Sequence, residues 1–465
     1  MIVLPTWIVV LLAIFAVIGI TDRVFMPSVR WFFRSRANKA IEELNTRLQM
    51  RIQPFKLTRR QALVDQLMYD KEIVQAVEDE ATKTGKPRQV VMAQAARYAK
   101  EIVPHFSAYT YFKIGTRLSR WLSELMYRVR LGYSDDEALK NVDKDATVVF
   151  VMNHRSNMDY VLVTYMASSS ASLSYAVGEW ARIWLLQSLL KAMGAYFIRR
   201  DSGNLLYRKV LSRYVRMATR QGVTQAVFPE GGLSRDGALR EPKLGLISYM
   251  VSDFSAENNR DIVFVPVGVN YDRVIEDRVL TSRSEKQITG RSFRTSLSGV
   301  FGYFARNMKL WFKGKLYRYG YACVSFGTPV SLKQWSGQND VNFQGLDDKD
   351  QREPIKQLGA DLMASIAATV PVLPVSLVAT VFLGSKGEWM SELEVKSQVF
   401  DLITQLEKRH AHIYIPRENR DYAVSAGLRM LTLRHLVKER DGLYRENQTE
   451  ITLLEYYANS IKHFM

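Results

Sequence analysis

The residues best placed to do chemistry come directly after a short apolar run, Thr147–Met152, and read Asn153-His154-Arg155-Ser156-Asn157-Met158-Asp159. Imidazole is the side chain whose ordinary pKa suits general-base work near neutrality, and a carboxylate bonded to it fixes its tautomer. His154 is then a candidate base and Asp159 its orienter. Positions five apart do not share a face of a continuous helix, so the pair converges only if the chain turns from strand into helix between them. Asn153, Ser156 and Asn157 supply turn and N-cap chemistry at that place. The same residues would also serve a polar turn in which the histidine ends a strand and the aspartate starts a helix.

Three further blocks carry polar groups at ends of apolar runs. Phe197-Ile198-Arg199-Arg200-Asp201 offers two guanidinium groups that can fork onto phosphate oxygens, or simply pair with Asp201. In Phe228-Pro229-Glu230-Gly231-Gly232-Leu233-Ser234-Arg235-Asp236-Gly237, the glycines let backbone approach a ligand closely. Glu230 can accept hydrogen bonds from hydroxyls, while Arg235, with Lys243 in Pro242-Lys243-Leu244-Gly245, can hold phosphate. A Gly-rich turn with solvated charges is the plainer reading of that block. Val265-Pro266-Val267-Gly268 is a buried strand whose proline fits an edge or an irregular end, an architectural part.

The elements around these blocks set their positions. Thr147–Met152, Ser174–Val177, Ala195–Ile198, Gln225–Phe228 and Ile262–Val269 read as strands. Met158–Ala167, Trp180–Met193, Leu205–Arg220 and Leu244–Phe254 read as helices between them. Strand–helix alternation with unbroken apolar strands predicts an α/β fold with a mostly parallel sheet covered by helices, whose strand ends are where sites form. Upstream, Leu63, Val64, Leu67, Met68, Ile73, Val74 and Val77 recur at helical spacing. Downstream, Ser391–Arg409 and Ser425–Lys438 do the same. The divisions expected are 1–22, a membrane helix; 23–145, an N-terminal helical region; 146–335, the α/β domain; and 336–465, a helical C-terminal region.

The chain has 465 residues and 47% hydrophobic composition, enough for more than one unit with real cores. Lys and Arg number 64 against 47 Asp and Glu, a formal charge of +17 that favours anionic partners. Cys323 is the one cysteine, which excludes a disulfide framework and a cysteine metal site, and its run Tyr321–Phe326 makes it a strand filler. The six histidines form no metal-ligand spacing. Residues 1–20 are almost wholly apolar and span about 30 Å as a helix, with Arg23, Arg30, Arg34, Arg36 and Lys39 behind them. That pattern predicts a single-pass anchor with the bulk of the chain on the cytoplasmic side. Basic and aromatic residues interleaved over 281–320 suit a lipid surface, single-stranded nucleic acid, or an ordinary solvated helix pair.

Taken in order and spacing, the four blocks resemble the glycerophosphate acyltransferase superfamily. The spellings His154-Arg155-Ser156, Met158-Asp159-Tyr160, Phe197-Ile198-Arg199-Arg200 and Glu230-Gly231-Gly232 with Ser234-Arg235 resemble its glycerol-3-phosphate and dihydroxyacetone phosphate branch, as do Pro242-Lys243-Leu244-Gly245 and the tail Leu454–Ile461. The resemblance is clearest over 147–275. It implies acyl transfer from acyl-CoA or acyl carrier protein to the sn-1 hydroxyl of glycerol-3-phosphate, directly and with no cofactor or metal. His154 and Asp159 would be catalytic. Arg199, Arg200, Glu230, Gly231, Ser234, Arg235 and Lys243 would hold the acceptor, and Pro266 would shape the acyl channel. Membrane lipids are the implied partner, and nucleic acid is not. Asn157 stands where that branch often has histidine and Leu233 where it commonly has arginine. Pro229 before Glu230 is a spelling shared with enzymes acylating lysophosphatidate. The acceptor therefore stays open between these, and a membrane-associated lipid-binding or scaffold protein, which needs no His154–Asp159 pair, is the non-enzyme alternative.

Overall fold

The computed structural model describes residues 52–168, 171–178, 184–199, 203–257, 259–282, 319–344, 351–385 and 387–465. The expected anchor 1–22, the basic and aromatic stretch 283–318 and Arg200 lie outside them. Among the described residues no helix is long and apolar enough to cross a membrane.

Among the described residues, a short helical turn (Pro54–Leu57) precedes the helices α1 (Arg60–Met68), α2 (Lys71–Thr84) and α3 (Arg88–Ile102). Asp70 caps α2 by accepting from the Glu72 amide, and Pro87 immediately precedes α3. The helix α4 (Thr116–Met126) then leads into a strand, β1 (Arg128–Ser134). The range 23–145, expected to be helical, thus also supplies a strand, because alternating half-exposed residues there pair along β7.

The central sheet has the order β1-β7-β6-β2-β5-β3-β4, with β8 also on β6. Its members are β2 (Thr147–Met152), β3 (Ser174–Val177), β4 (Tyr196–Phe197), β5 (Gln225–Val227), β6 (Ile262–Tyr271), β7 (Tyr321–Phe326) and β8 (Val330–Ser331). β6, β2, β5, β3 and β4 run parallel, while β7 and β8 are antiparallel to β6. Connecting helices α5 (Met158–Ala167), α6 (Trp184–Ala192), α7 (Leu205–Arg220) and α8 (Gly245–Val251) succeed the strands as expected.

Alternation along β2 shows how the sheet is covered. Val149 and Val151 face a core built with Leu63, Val64, Ile73, Val77, Val91 and Ala95 of the N-terminal helices and with Val210 and Tyr214 of α7. Val148, Phe150 and Met152 face the opposite core, shared with α5 and the C-terminal helices. The helices α1, α2 and α3 therefore clad one face of the sheet together with α7. Cys323, fully buried in β7, has its thiol pushed up to about 12 by burial, which makes it inert packing.

Pro266 lies in a central strand, not at an edge. Its carbonyl accepts from the Gly327 amide, and its missing N–H faces the same side. There β6 has just left β8 at Phe264 and not yet met β7 at Val267, so no ladder bond is lost.

The C-terminal helices are α9 (Arg352–Thr369), α10 (Pro374–Gly384), α11 (Glu392–Lys408), α12 (Arg420–Leu433) and α13 (Ile451–Ala458). The expected helix over Ser425–Lys438 stops at Leu433. Strands β10 (Val437–Arg440) and β11 (Leu443–Glu446) come next and form a small sheet with β9 (Met390–Ser391). Asp441 and Gly442, both at positive φ, make the two-residue turn of that hairpin. The region is thus not wholly helical. α13 packs so closely on the loop after β5 that a Cβ on Gly237 (φ +86) would collide with the Tyr456 carbonyl oxygen.

Candidate active site

Three neighbouring parallel strands, β6, β2 and β5, end side by side, and the segments just beyond their ends build the site. After β2, the Asn153 side chain donates to the Val269 carbonyl (2.9 Å) and accepts from the Val269 amide (2.8 Å), which pins the strand end to β6. The chain then turns. The Asp159 amide donates to the Ser156 carbonyl, the Met158 amide to the Ser156 hydroxyl, and α5 begins.

This turn brings the five-apart pair together. His154 Nδ1 lies 2.9 Å from Asp159 Oδ2, which also accepts from the amides of Arg155 (2.7 Å) and Ser156 (3.0 Å). The other oxygen, Oδ1, accepts from the Tyr271 hydroxyl at 2.6 Å. Four donors converge on this one buried carboxylate. With the Nδ1 proton directed at Asp159, Nε2 is left with a lone pair, and no described residue bonds to it. The ring is stacked on Phe228 (centroids 4.0 Å apart) and met edge-on by Tyr160, so its plane is fixed by packing.

His154 borders a cavity of about 330 Å³ with a mainly apolar wall of Tyr160, Ile198, Leu211, Val227, Phe228 and Leu246. Lys243, Arg199 and Arg208 also line it. Gly231, at φ +67, lets the loop after β5 fold back under the Lys243 side chain, and the Lys243 amide donates to the Pro229 carbonyl. Glu230 Oε1 accepts from the His154 amide at 3.0 Å, while its Oε2 is buried without a partner among the described residues. Among the described residues no cluster of His, Cys, Asp or Glu is arranged to hold a metal ion.

The remaining residues named from sequence are placed differently from one another. Arg199 reaches the cavity wall but is forked onto Glu101 of α3 (3.0 and 2.5 Å), between the rings of Tyr98 and Tyr207. Ser234 is buried: its amide donates to the His154 carbonyl and its hydroxyl to the Ala238 carbonyl, so it shapes the loop. Arg235 is exposed and does not line the cavity, and Glu230, Ser234 and Pro266 are also outside the lining. Sequence reasoning missed Tyr271 and Glu276, which bond to the catalytic turn from the end of β6 and beyond it, and Arg208, one turn into α7. A helical position alone gave no signal for Arg208. Tyr271 and Glu276 come soon after the fourth block, and that adjacency was the available hint.

Burial pushes Glu230 from 4.5 up to about 7. Between those values the fold retains a proton that the unfolded chain has released, so folding stability falls as pH rises through that window. In Glu230→Gln this term is absent. The variant should gain on the order of 1–3 kcal/mol relative to the parent between pH 5 and pH 8. Denaturant melts of both proteins at the two pH values measure the difference, and parallel pH profiles would rule the assignment out.

Two parts of the chain match known families. An acyltransferase model matches residues 134–270, the segment that carries His154, Asp159 and Glu230, and a model of the glycerol-3-phosphate acyltransferase C-terminal region matches 308–465. Through these two regions the chain is similar to glycerol-3-phosphate acyltransferases. Similar relatives are the glycerol-3-phosphate acyltransferases of Pseudomonas putida (26% identical), Aeromonas hydrophila subsp. hydrophila (27%) and Shewanella halifaxensis (26%), each aligned over 88% of this chain. Those alignments cover 49%, 50% and 51% of the relatives, so the chain spans about half their length. The 1-acyl-sn-glycerophosphate acyltransferase of Thermotoga maritima is a solved structure with TM-score 0.29 and 17% identity, covering 55% of this chain and 77% of that one.

Proposed function

We propose that the protein transfers a fatty acyl group from acyl-CoA or acyl carrier protein to the sn-1 hydroxyl of glycerol-3-phosphate, giving 1-acylglycerol-3-phosphate for phospholipid synthesis. The observation that carries this reading is the unbonded Nε2 of His154, a residue that lines a mainly apolar cavity also lined by Lys243 and Arg208. Nε2 takes the proton of the acceptor hydroxyl as its oxygen attacks the thioester carbon, and Asp159 stabilises the imidazolium that forms. The tetrahedral adduct expels the thiolate, which recovers the proton from His154. Lys243 and Arg208 meet the acceptor phosphate, and Glu230 accepts from its second hydroxyl. Arg199 stays on Glu101 and holds the cavity wall, with its role in phosphate binding dependent on release from that pair.

The test is product identification. Purified protein is given a thioester donor with glycerol-3-phosphate, dihydroxyacetone phosphate or lysophosphatidate. Acylation of glycerol-3-phosphate at sn-1 is expected. A product only from lysophosphatidate would move the protein to lysolipid acylation, and no product from any acceptor would remove the enzyme reading.

We also place the protein at a membrane, on its cytoplasmic side. Two features support this: the apolar residues 1–20 with their basic flank, and the outward face of α4. In α4 the buried positions are Ser119, Ser123 and Met126, while Leu118 and Trp121 are exposed beside Arg117 and Arg120, with Tyr109 and Ile114 just before. Exposed apolar side chains flanked by cations suit an anionic lipid surface. Cys323 is buried, so Leu118→Cys can be labelled selectively with a polarity-sensitive fluorophore. Its emission should shift to the blue on anionic vesicles; an unchanged spectrum with vesicle-bound protein would exclude this face.

A further inference from the structure

The turn that carries His154 is fastened from two sides. Asp159 holds it from within, through Nδ1 of His154 and the amides of Arg155 and Ser156. From outside it is held by Glu276, which lies 120 residues after Ser156 and is contributed by the loop beyond β6. Glu276 Oε2 accepts from the Ser156 hydroxyl at 2.8 Å, and Oε1 accepts from the Asn157 amide (3.3 Å) and the Asn157 side-chain amide (3.2 Å). Asn157 is the N-cap of α5 yet makes no side-chain cap bond of its own; its amide goes to the distant Glu276 carboxylate, while the Ser156 hydroxyl accepts from the Met158 amide.

The loop that presents Glu276 is itself held rigidly. Asp277 Oδ2 is bonded by Arg434 and by the Tyr457 hydroxyl, which also accepts from the Val274 amide. The Tyr127 hydroxyl donates to the Arg273 carbonyl. Glu276 is thus a fixed point, anchored through Arg434 at the end of α12 and through α13, against which the catalytic turn is set.

We infer that Glu276 is a positioning residue for the proposed acyl transfer: through Ser156 and Asn157 it sets the angle at which His154 Nε2 meets the cavity. The inference rests on that reaction. Without the carboxylate, one hydroxyl and two amide donors lose their acceptor and the turn is free to relax about Asp159. A misplacement of a reacting group by about 1 Å can lower the rate roughly 10²-fold. A glutamine keeps the shape: its oxygen can accept from Asn157 and its amide can donate to Ser156, whose hydroxyl turns.

In the full chain, Glu276→Ala should lower kcat by about 10- to 100-fold, with KM for the acceptor within about twofold of the parent. Glu276→Gln should recover most of the rate. The effects of Glu276→Ala and Ser156→Ala on kcat should be non-additive by more than about threefold, because both remove the one contact between Glu276 and the Ser156 hydroxyl. A residue that only stabilised the fold would leave kcat per folded molecule unchanged. The inference is overturned if Glu276→Ala turns over within about threefold of the parent, or if its loss lies in acceptor KM. Should Glu276→Ala not fold, Ser156→Ala decides, since it removes the same contact from the other side, and a kcat within about threefold of the parent overturns the inference. Failure of the parent protein itself to acylate any acceptor would instead defeat the reaction proposed above.

Discussion

His154→Ala is expected to lower kcat by about 10²- to 10⁴-fold, the range that a positioned general base supplies. The acceptor hydroxyl is a poor nucleophile, and Nε2 of His154 is the one atom of the buried pair left with an open lone pair at the cavity. Folding should survive. Asp159 would still accept from the amides of Arg155 and Ser156 and from the Tyr271 hydroxyl, so no buried charge is abandoned. What is lost is the stacking on Phe228 and a ring-sized volume beside it. Steady-state kinetics alongside circular dichroism separate the two effects, and near-parental turnover would remove His154 from catalysis.

Asp159→Asn is the second large effect, a fall in kcat of roughly 10²- to 10⁴-fold with acceptor KM little changed. The amide is the same size and can orient itself: its oxygen takes the three donors now on Oδ2, and its nitrogen faces Tyr271, whose hydroxyl turns to accept. The turn therefore keeps its shape while the charge disappears. The imidazolium formed during transfer loses the partner that stabilises it, whereas the ground state, with neutral imidazole, loses little. A loss confined to KM would mean that Asp159 shapes the acceptor pocket instead.

The parts of this site visible in the sequence are those encoded locally. The strand before His154 and the helix carrying Asp159 were readable from unbroken apolar runs, and the turn between them from Asn153, Ser156 and Asn157. Convergence of the pair came from the requirement that residues five apart meet only across such a turn. Long-range pairing was not readable. Nothing in the spacing of Arg199 announces Glu101, 98 residues earlier, which takes up its guanidinium. Ser234 looked like a ligand group because a hydroxyl in a Gly-rich loop can serve a substrate or the loop itself, and only the fold shows its bonds to Ala238 and Gly237. In the C-terminal region, apolar periodicity from 425 onward masked the Asp441-Gly442 hairpin signal, which won because its positive φ values close a two-residue turn. The cladding role of α1, α2 and α3 was likewise hidden, since a periodic helix declares which of its faces is apolar but not which sheet will cover it.

In the proposed reaction, His154, oriented by Asp159, lets an acyl group pass directly from the thioester to a phosphorylated alcohol. The most direct measurement tracks an acyl-labelled thioester through a single turnover with glycerol-3-phosphate, for the parent protein and for His154→Ala side by side. Label should move to 1-acylglycerol-3-phosphate with the parent, never appear on the protein, and remain on the thioester with the variant. Equal transfer by both proteins, or label accumulating on the chain before product forms, would contradict the account.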